Sequence, residues 1–169
     1  MDAIDAIRTR RSVRDFTDEP VTDAELEIVL RAAMAAPSAS NERPWHFIVV
    51  RDETARHRLA RATPFSGPIA RAQVAFVVCA DRLAVRHKGF WVIDCAAAIE
   101  NALLAAHSIG LGGVWIGVHP SRLLVASVRA AIRMPRHVVP HSMVALGHPS
   151  RVPPPVDRFD TTRVHLEGW

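Results

Sequence analysis

The stretch Asp94-Cys95-Ala96-Ala97-Ala98-Ile99-Glu100-Asn101-Ala102-Leu103-Leu104-Ala105-Ala106-His107-Ser108-Ile109, running into Gly110-Leu111-Gly112-Gly113-Val114-Trp115-Ile116-Gly117, decides how this chain is built. Rich in Ala and Leu and free of Pro, Asp94 to Ile109 predicts a long helix. Its polar side chains, Asp94, Glu100, Asn101, His107 and Ser108, fall on one narrow stripe, and the rest is Cys, Ala, Ile and Leu. An apolar arc that wide needs cover on more than one side. A central helix inside its own domain satisfies this, and so does a dimer-interface helix, which suits a small chain. Gly110 stands where a glycine ends a helix, and Val114 to Val118 then reads as a short strand.

Outward from this stretch, helix and strand alternate. Gln73 to Ala80 is an apolar strand with the pattern of burial on both faces. Trp45 to Val50 reads as another strand, and Glu53 to Ala62 as a helix. Thr22-Asp23-Ala24-Glu25 is a capping box, behind which Leu26, Val29, Leu30, Ala33 and Met34 repeat at helical spacing until Pro37 stops them. Asp2 to Thr9 suggests a short helix with Ile4 and Ile7 inward. Ser121 caps a helix running towards Arg133. Val138 to Leu146 is a last strand, edge-like at its start because Pro140 removes a ladder donor. With no internal repeat and no linker, residues 1–169 are expected to form a single domain.

The chain has 169 residues, 49% hydrophobic and 22% charged, which is enough to bury a real core. Asp94, Glu100 and Asn101 interrupt its most apolar region, so no membrane span is expected. Met1-Asp2-Ala3-Ile4-Asp5 has neither the basic nor the apolar region of a secretory signal. Cys79 and Cys95 follow no metal or redox spacing and read as reduced, buried thiols. A cytoplasmic location is the expectation. The net charge is +4, but of 21 basic residues only Lys88 is a lysine, and the arginines are spread along the whole chain. Basic runs interleaved with aromatics are missing, so nucleic acid is not the expected partner. An anionic small molecule accounts for the positive excess equally well.

Several chemistries drop out on spacing. Gly110, Gly112 and Gly113 follow a helix, and Trp115 stands where a dinucleotide fingerprint needs its third glycine. There is no P-loop, no Gly-x-Ser-x-Gly elbow and no His-Glu-x-x-His. His137 and His141 are separated by Pro140, against a helical metal pair, so no metal ligands and no catalytic side chains are assigned. An enzyme built on this chain would draw its chemistry from an organic cofactor. Two segments could hold one. Arg10-Arg11-Ser12-Val13-Arg14-Asp15-Phe16 packs three guanidinium groups and a hydroxyl together, a dense donor set for phosphate. Ala36-Pro37-Ser38-Ala39-Ser40-Asn41-Glu42-Arg43-Pro44-Trp45-His46-Phe47 is a turn-rich polar loop entering a strand. Beyond Pro153-Pro154-Pro155, which favours an extended chain, a tail ends in Trp169, a residue that wants a groove. The tail can lie on its own subunit or on a partner.

Four segments in order, Arg10 to Phe16, Pro37 to Phe47, Asp94 to Gly117, and Ala145-Leu146-Gly147-His148-Pro149 with Arg158 and Val164 to Trp169, resemble the nitroreductase family across essentially the whole chain. The resemblance implies an α+β fold, a three-layer α/β/α sandwich around a mixed central sheet. It implies an intertwined homodimer with the tail, about residues 150–169, extended over the partner. It also implies flavin mononucleotide (FMN) at the interface and NADH or NADPH as donor. By position, the phosphate end would meet Arg10 and Ser12 within the Arg10–Arg11–Ser12 segment, with Arg158 from the tail. Arg14 would lie near the pyrimidine side, where a guanidinium stabilises charge on the reduced ring. Pro37, Ser38, Ala39 and Asn41 would approach from the partner subunit. Trp115, Ile116 and Gly117 would line the other side, with a backbone N–H meeting N5. The implied reaction is ping-pong hydride transfer to nitroaromatic, quinone or related small electrophilic acceptors; the alternative is a flavin store or redox sensor. The chain departs from larger members in lacking helical insertions, in having no acidic residue at Trp115-Ile116-Gly117, and in carrying Ala39 where a small hydroxyl residue is common.

Overall fold

The computed structural model describes residues 1–169, organised on one four-stranded sheet. In chain order the strands are β1 (Trp45–Val50), β2 (Val74–Asp81), β3 (Gly112–Gly117) and β4 (Val138–Gly147), and across the sheet they run β1-β2-β4-β3. All three ladders are antiparallel. The parallel component expected of a mixed sheet is therefore confined, within this chain, to an isolated bridge between Ser12 and Gly113.

Strand alternation splits the core into two layers. Val74, Phe76, Val78, Val144 and Leu146 point to one face, where α2 (Asp23–Met34) and α5 (Phe90–Ser108) cover them. Ala75, Val77, Met143 and Ala145 point to the other, under α3 (Glu53–Ala60), α4 (Pro68–Arg71) and α6 (Arg122–Ala131). The result is the α/β/α sandwich. Every β2 residue but Asp81 is buried, which is why this strand is apolar throughout.

The helix ends follow local chemistry. Thr22 and Glu25 form the expected reciprocal capping box on α2. At the end of α5, Leu111 N–H bonds the Ala106 carbonyl (2.9 Å) and Gly110 N–H the His107 carbonyl (3.1 Å). This is a Schellman closure, and Gly110 takes the positive φ of 89° it requires. Upstream, α5 begins at Phe90 after Gly89 (φ 106°), earlier than the sequence pattern suggested. Over its 19 residues α5 is long and apolar enough to cross a membrane, despite Asp94, Glu100 and Asn101. Here it is the core helix, with Cys95, Ala98, Ile99, Ala102 and Ala106 almost wholly buried against α2 and the sheet.

Three local expectations are corrected. In α1 (Ala3–Thr9) it is Ala6 that is buried, while Ile4 and Ile7 are exposed. The helix docks through Ala6 and through Thr9, whose hydroxyl meets His107 Nε2 at 2.8 Å. β4 is a central strand despite Pro140. Its register shifts so that Val78 faces Ser142 and Cys79 faces Pro140, which takes His141 out of the ladder. The freed His141 carbonyl accepts N–H bonds from Val118 (3.2 Å) and His119 (2.9 Å). Lastly, α3 and α6 end at Ala60 and Ala131, short of the expected ends at Ala62 and Arg133, where Arg133 already has φ 54°.

Candidate functional site

The N-terminal segment wraps around the outer edge of β3. Arg10 Nε pairs with Glu100 of α5 at 3.2 Å on one side of the sheet. On the other side, the Arg14 carbonyl accepts from Arg71 of α4 at 3.2 Å. Between them Val13 N–H bonds the Gly113 carbonyl at 3.0 Å. Gly112 makes this crossing possible: a Cβ there would sit 2.8 Å from Val13 Cβ. Because the Gly113 carbonyl faces outward to Val13, antiparallel alternation puts the N–H groups of Trp115 and Gly117 on that same outer edge. They lie beyond the Ser12 bridge, on the side of β3 away from β4. Gly117 has nothing within 4 Å of where a Cβ would be, so the strand end is open. The arrangement is a row of outward donors beside an open slot.

A cleft of about 830 Å³ adjoins the start of this segment, lined by Arg8, Thr9, Arg10, Arg11 and residues Pro155 to Phe159 of the tail. It brings together two of the expected phosphate partners, Arg10 and Arg158, with Arg11 beside them. Ser12 stands next to them, fixed by its bridge to Gly113. With Arg10 Nε engaged by Glu100, its terminal nitrogens and the other two guanidinium groups make a strongly cationic pocket suited to phosphate. Arg14 lies outside this cleft, exposed on the α4 side, its side chain in no ion pair.

The second segment sits elsewhere. Pro37 and Asn41 are exposed and Ser38 and Ala39 half-buried, on a 3-10 turn spanning Ala39–Asn41. Ser40, Asn41 and Arg43 all adopt positive φ (49°, 54° and 49°), and two bonds hold the loop in this shape. Buried Asp94 of α5 accepts the Ala39 N–H at 3.0 Å, and Ser38 Oγ accepts the Arg43 N–H at 2.9 Å. Asp94 is six residues before Glu100 on α5, so this anchor lies about 9 Å along the helix from the Arg10 pair. Within one chain the loop does not line the Arg10–Arg158 cleft.

Glu42, its side chain only 4% exposed, extends the clamp. Its carboxylate accepts the N–H groups of Arg86 and His87, each at 3.1 Å, and also contacts the His87 ring. The His87 hydrogen bond holds the Glu42 carboxyl below the usual range. Sequence reading missed the roles of Asp94, Glu42 and Glu100. Asp94 left a trace as a lone carboxylate in an apolar helix; Glu42 and Glu100 left none, because their partners are remote in sequence.

Trp115, half-buried on the α5 face, donates its indole N–H to Ser142 Oγ at 2.6 Å. Ile116 packs into the opposite core layer with Val114, and its backbone N–H and C=O face β4, so it does not reach the slot as expected. The thiols of Cys79 and Cys95 are buried and free, and burial pushes them up to about 11 and about 12. They remain protonated near neutrality.

This layout matches known proteins over the whole chain. Residues 7–66 and 66–148 match the Nitroreductase family. A protein of Methanothermobacter thermautotrophicus, provisionally named as an NADH dehydrogenase/NAD(P)H nitroreductase, is 45% identical over 169 residues, covering 100% of this chain and 88% of its own length. A crystal structure from Parabacteroides distasonis, provisionally named in the same way, superposes with a TM-score of 0.94 at 36% identity, covering 99% of this chain and 98% of that one. A nitroreductase-type protein of Desulfovibrio desulfuricans solved with FMN superposes with a TM-score of 0.87 at 30% identity, covering 100% of this chain and 98% of that one. Sequence and fold agree along the full length, and the chain belongs to the nitroreductase family.

Proposed function

We propose that this chain is an FMN-dependent NAD(P)H oxidoreductase acting on small electrophilic acceptors such as quinones and nitroaromatics. The observation that carries the reading is the cleft holding Arg10, Arg11 and Arg158, which the Ser12 bridge to Gly113 connects to the outer edge of β3 and its outward Trp115 and Gly117 N–H groups. The residues present fit FMN: paired guanidinium groups for a dianionic phosphate, and an open strand end for a flat ring. Bound there, FMN would supply hydride transfer, taking a hydride from NADH or NADPH and passing it to the acceptor.

The chain's own residues bind and orient. Arg10, Arg11 and Arg158 neutralise the phosphate, and Ser12 adds a hydroxyl donor. The Trp115 and Gly117 N–H groups hold the ring edge. The cationic Arg14 favours negative charge on the pyrimidine side. Pro37, Ser38, Ala39 and Asn41 complete the site from a second copy of the chain, because in their own subunit they are held away from the cleft by Asp94. Donor and acceptor would use one slot in turn, giving ping-pong kinetics.

A homodimer follows from this division and from the tail. The Ser150 N–H to the Asp15 carbonyl (3.1 Å) is the last hydrogen bond between tail and body; beyond it the tail's bonds are local, among Asp157, Phe159, Asp160, Thr161, Thr162, Arg163 and Val164. Phe159, Leu166 and Trp169 are left exposed. A partner's surface would bury them.

The test is an anaerobic absorbance titration of the purified protein. Flavin bands that bleach with NADH or NADPH and return on adding a quinone or nitroaromatic are expected. Bands that survive both donors would indicate a flavin store, and a colourless protein that refuses added FMN would overturn the reading. Removing residues 156–169 is expected to yield a folded monomer that loads FMN poorly. A fully loaded dimer would refute the wrapped tail.

A further inference from the structure

The Trp115 indole lies at the start of a directed hydrogen-bond chain. An indole nitrogen can only donate, so its 2.6 Å contact makes Ser142 Oγ the acceptor. The one hydroxyl proton of Ser142 is then available to His141 Nδ1, 3.0 Å away. Donation in this direction requires that nitrogen to be bare, with the His141 proton on Nε2. Ser142 and His141 are 1% and 5% exposed, so water does not compete for these bonds. Around His141 the rings of Trp91, Trp115 and His119 stand at 6.0, 6.1 and 6.5 Å. His119 is the titratable one among them. Burial and the neighbouring His119 bring the His141 pKa down to about 4, against a hydrogen bond to the Val92 backbone, which agrees with a neutral ring.

The register shift at Pro140 is what makes the chain possible. It takes His141 out of the β2 ladder while Ser142 stays in register with Val78 on one side and Gly117 on the other. The indole and the imidazole are thereby joined through one hydroxyl, opposite the last residue of β3. We propose that Ser142 and His141 are positioning residues for Trp115, fixing its indole so that its backbone N–H keeps its place on the outer edge of β3. This rests on the FMN reading of that edge.

Ser142→Ala removes one oxygen from a packed strand and leaves the indole N–H without its acceptor. With FMN bound, the Trp115 indole ¹H–¹⁵N resonance, assigned through Trp115→Phe, is expected to be protected from exchange in the native protein. It should lose that protection in Ser142→Ala and regain it in Ser142→Thr, which restores a hydroxyl. FMN affinity should fall about fivefold in Ser142→Ala, the effect of one hydrogen bond, and recover in Ser142→Thr. Histidine ¹⁵N spectra should show His141 with its proton on Nε2; a proton on Nδ1 would overturn the chain. Unchanged FMN affinity and indole exchange in Ser142→Ala would overturn the positioning role alone. A protein that binds no FMN yet keeps a protected Trp115 indole would overturn the flavin reading and, with it, the role assigned here.

Discussion

The two faces of the sheet bury their polar groups in different ways. Under α2 and α5, buried polar side chains reach across the fold: Asp94 to the Ala39 amide, Ser142 to the Trp115 indole, and half-buried Asn101 to the Ala32 carbonyl at 3.1 Å. Under α3, α4 and α6 the two fully buried ones stay local, although half-buried Gln73 reaches the Thr17 carbonyl at 3.2 Å. The buried Ser66 hydroxyl bonds the Thr63 N–H and the Thr63 and Ala60 carbonyls, and buried Thr63 Oγ1 accepts the Phe65 N–H, closing a single turn. A buried polar group must find a partner wherever it lies. On the second face the partners of the fully buried pair only end a helix. On the α5 face they fix segments that carry the proposed site.

Core truncation should break this comparison most severely. Phe76→Ala on the α5 face is expected to cost about 4 kcal/mol, and Leu59→Ala on the other about 3 kcal/mol, both read by urea denaturation. In the protein that remains folded, FMN loading should fall for Phe76→Ala and hold for Leu59→Ala. Equal loading losses would erase the distinction between the faces.

Acid is the next lever. The folded-state pKa of His141 is lowered to about 4 from an ordinary 6.5, so the unfolded chain binds more protons between these values. Stability from this group is therefore full above about pH 6.5 and declines as pH falls towards 4, by up to about 3 kcal/mol. Urea midpoints measured between pH 7 and 4.5 should show this slope. A His141→Gln variant should flatten it, and a slope left intact in that variant would mean another group is responsible.

Smaller effects sharpen the contrast. Gly112→Ala would place a Cβ 2.8 Å from Val13 and should cost about 2 kcal/mol, loosening the N-terminal segment from β3. Hydrogen exchange at Val13 reports that directly. Asp94→Ala and Ser66→Ala should each cost about 1–2 kcal/mol, with FMN affinity falling only in the first. Cys79 and Cys95, both with raised thiol pKa values, should react with a thiol reagent only on unfolding. Fast labelling of the native protein would show that one layer opens readily.

Much was legible in the chain because its cause is local. The capping box at Thr22 and Glu25, the Gly110 closure of α5, the unbroken apolar run of β2 and the Arg10–Arg14 donor cluster follow from neighbouring residues and the period of helix or strand. Other readings failed where neighbours do not decide. Ile4 and Ile7 carry the helical pattern of an inward face, but α1 docks through Ala6 and Thr9 and leaves both exposed. Pro140 signals an edge strand, yet a register shift accommodates it between β2 and β3.

By itself, then, the sequence determined the order of elements, their caps and the dense arginine donor set of the N-terminal segment, since each depends on residues within a turn or two. Tertiary structure alone decided that Glu42 would clamp Arg86 and His87, and that Trp115 would find Ser142 and His141. Glu42 and Trp115 lie tens of positions from those partners. Only the folding of the whole chain brings such residues within reach, and no spacing in the chain encodes it.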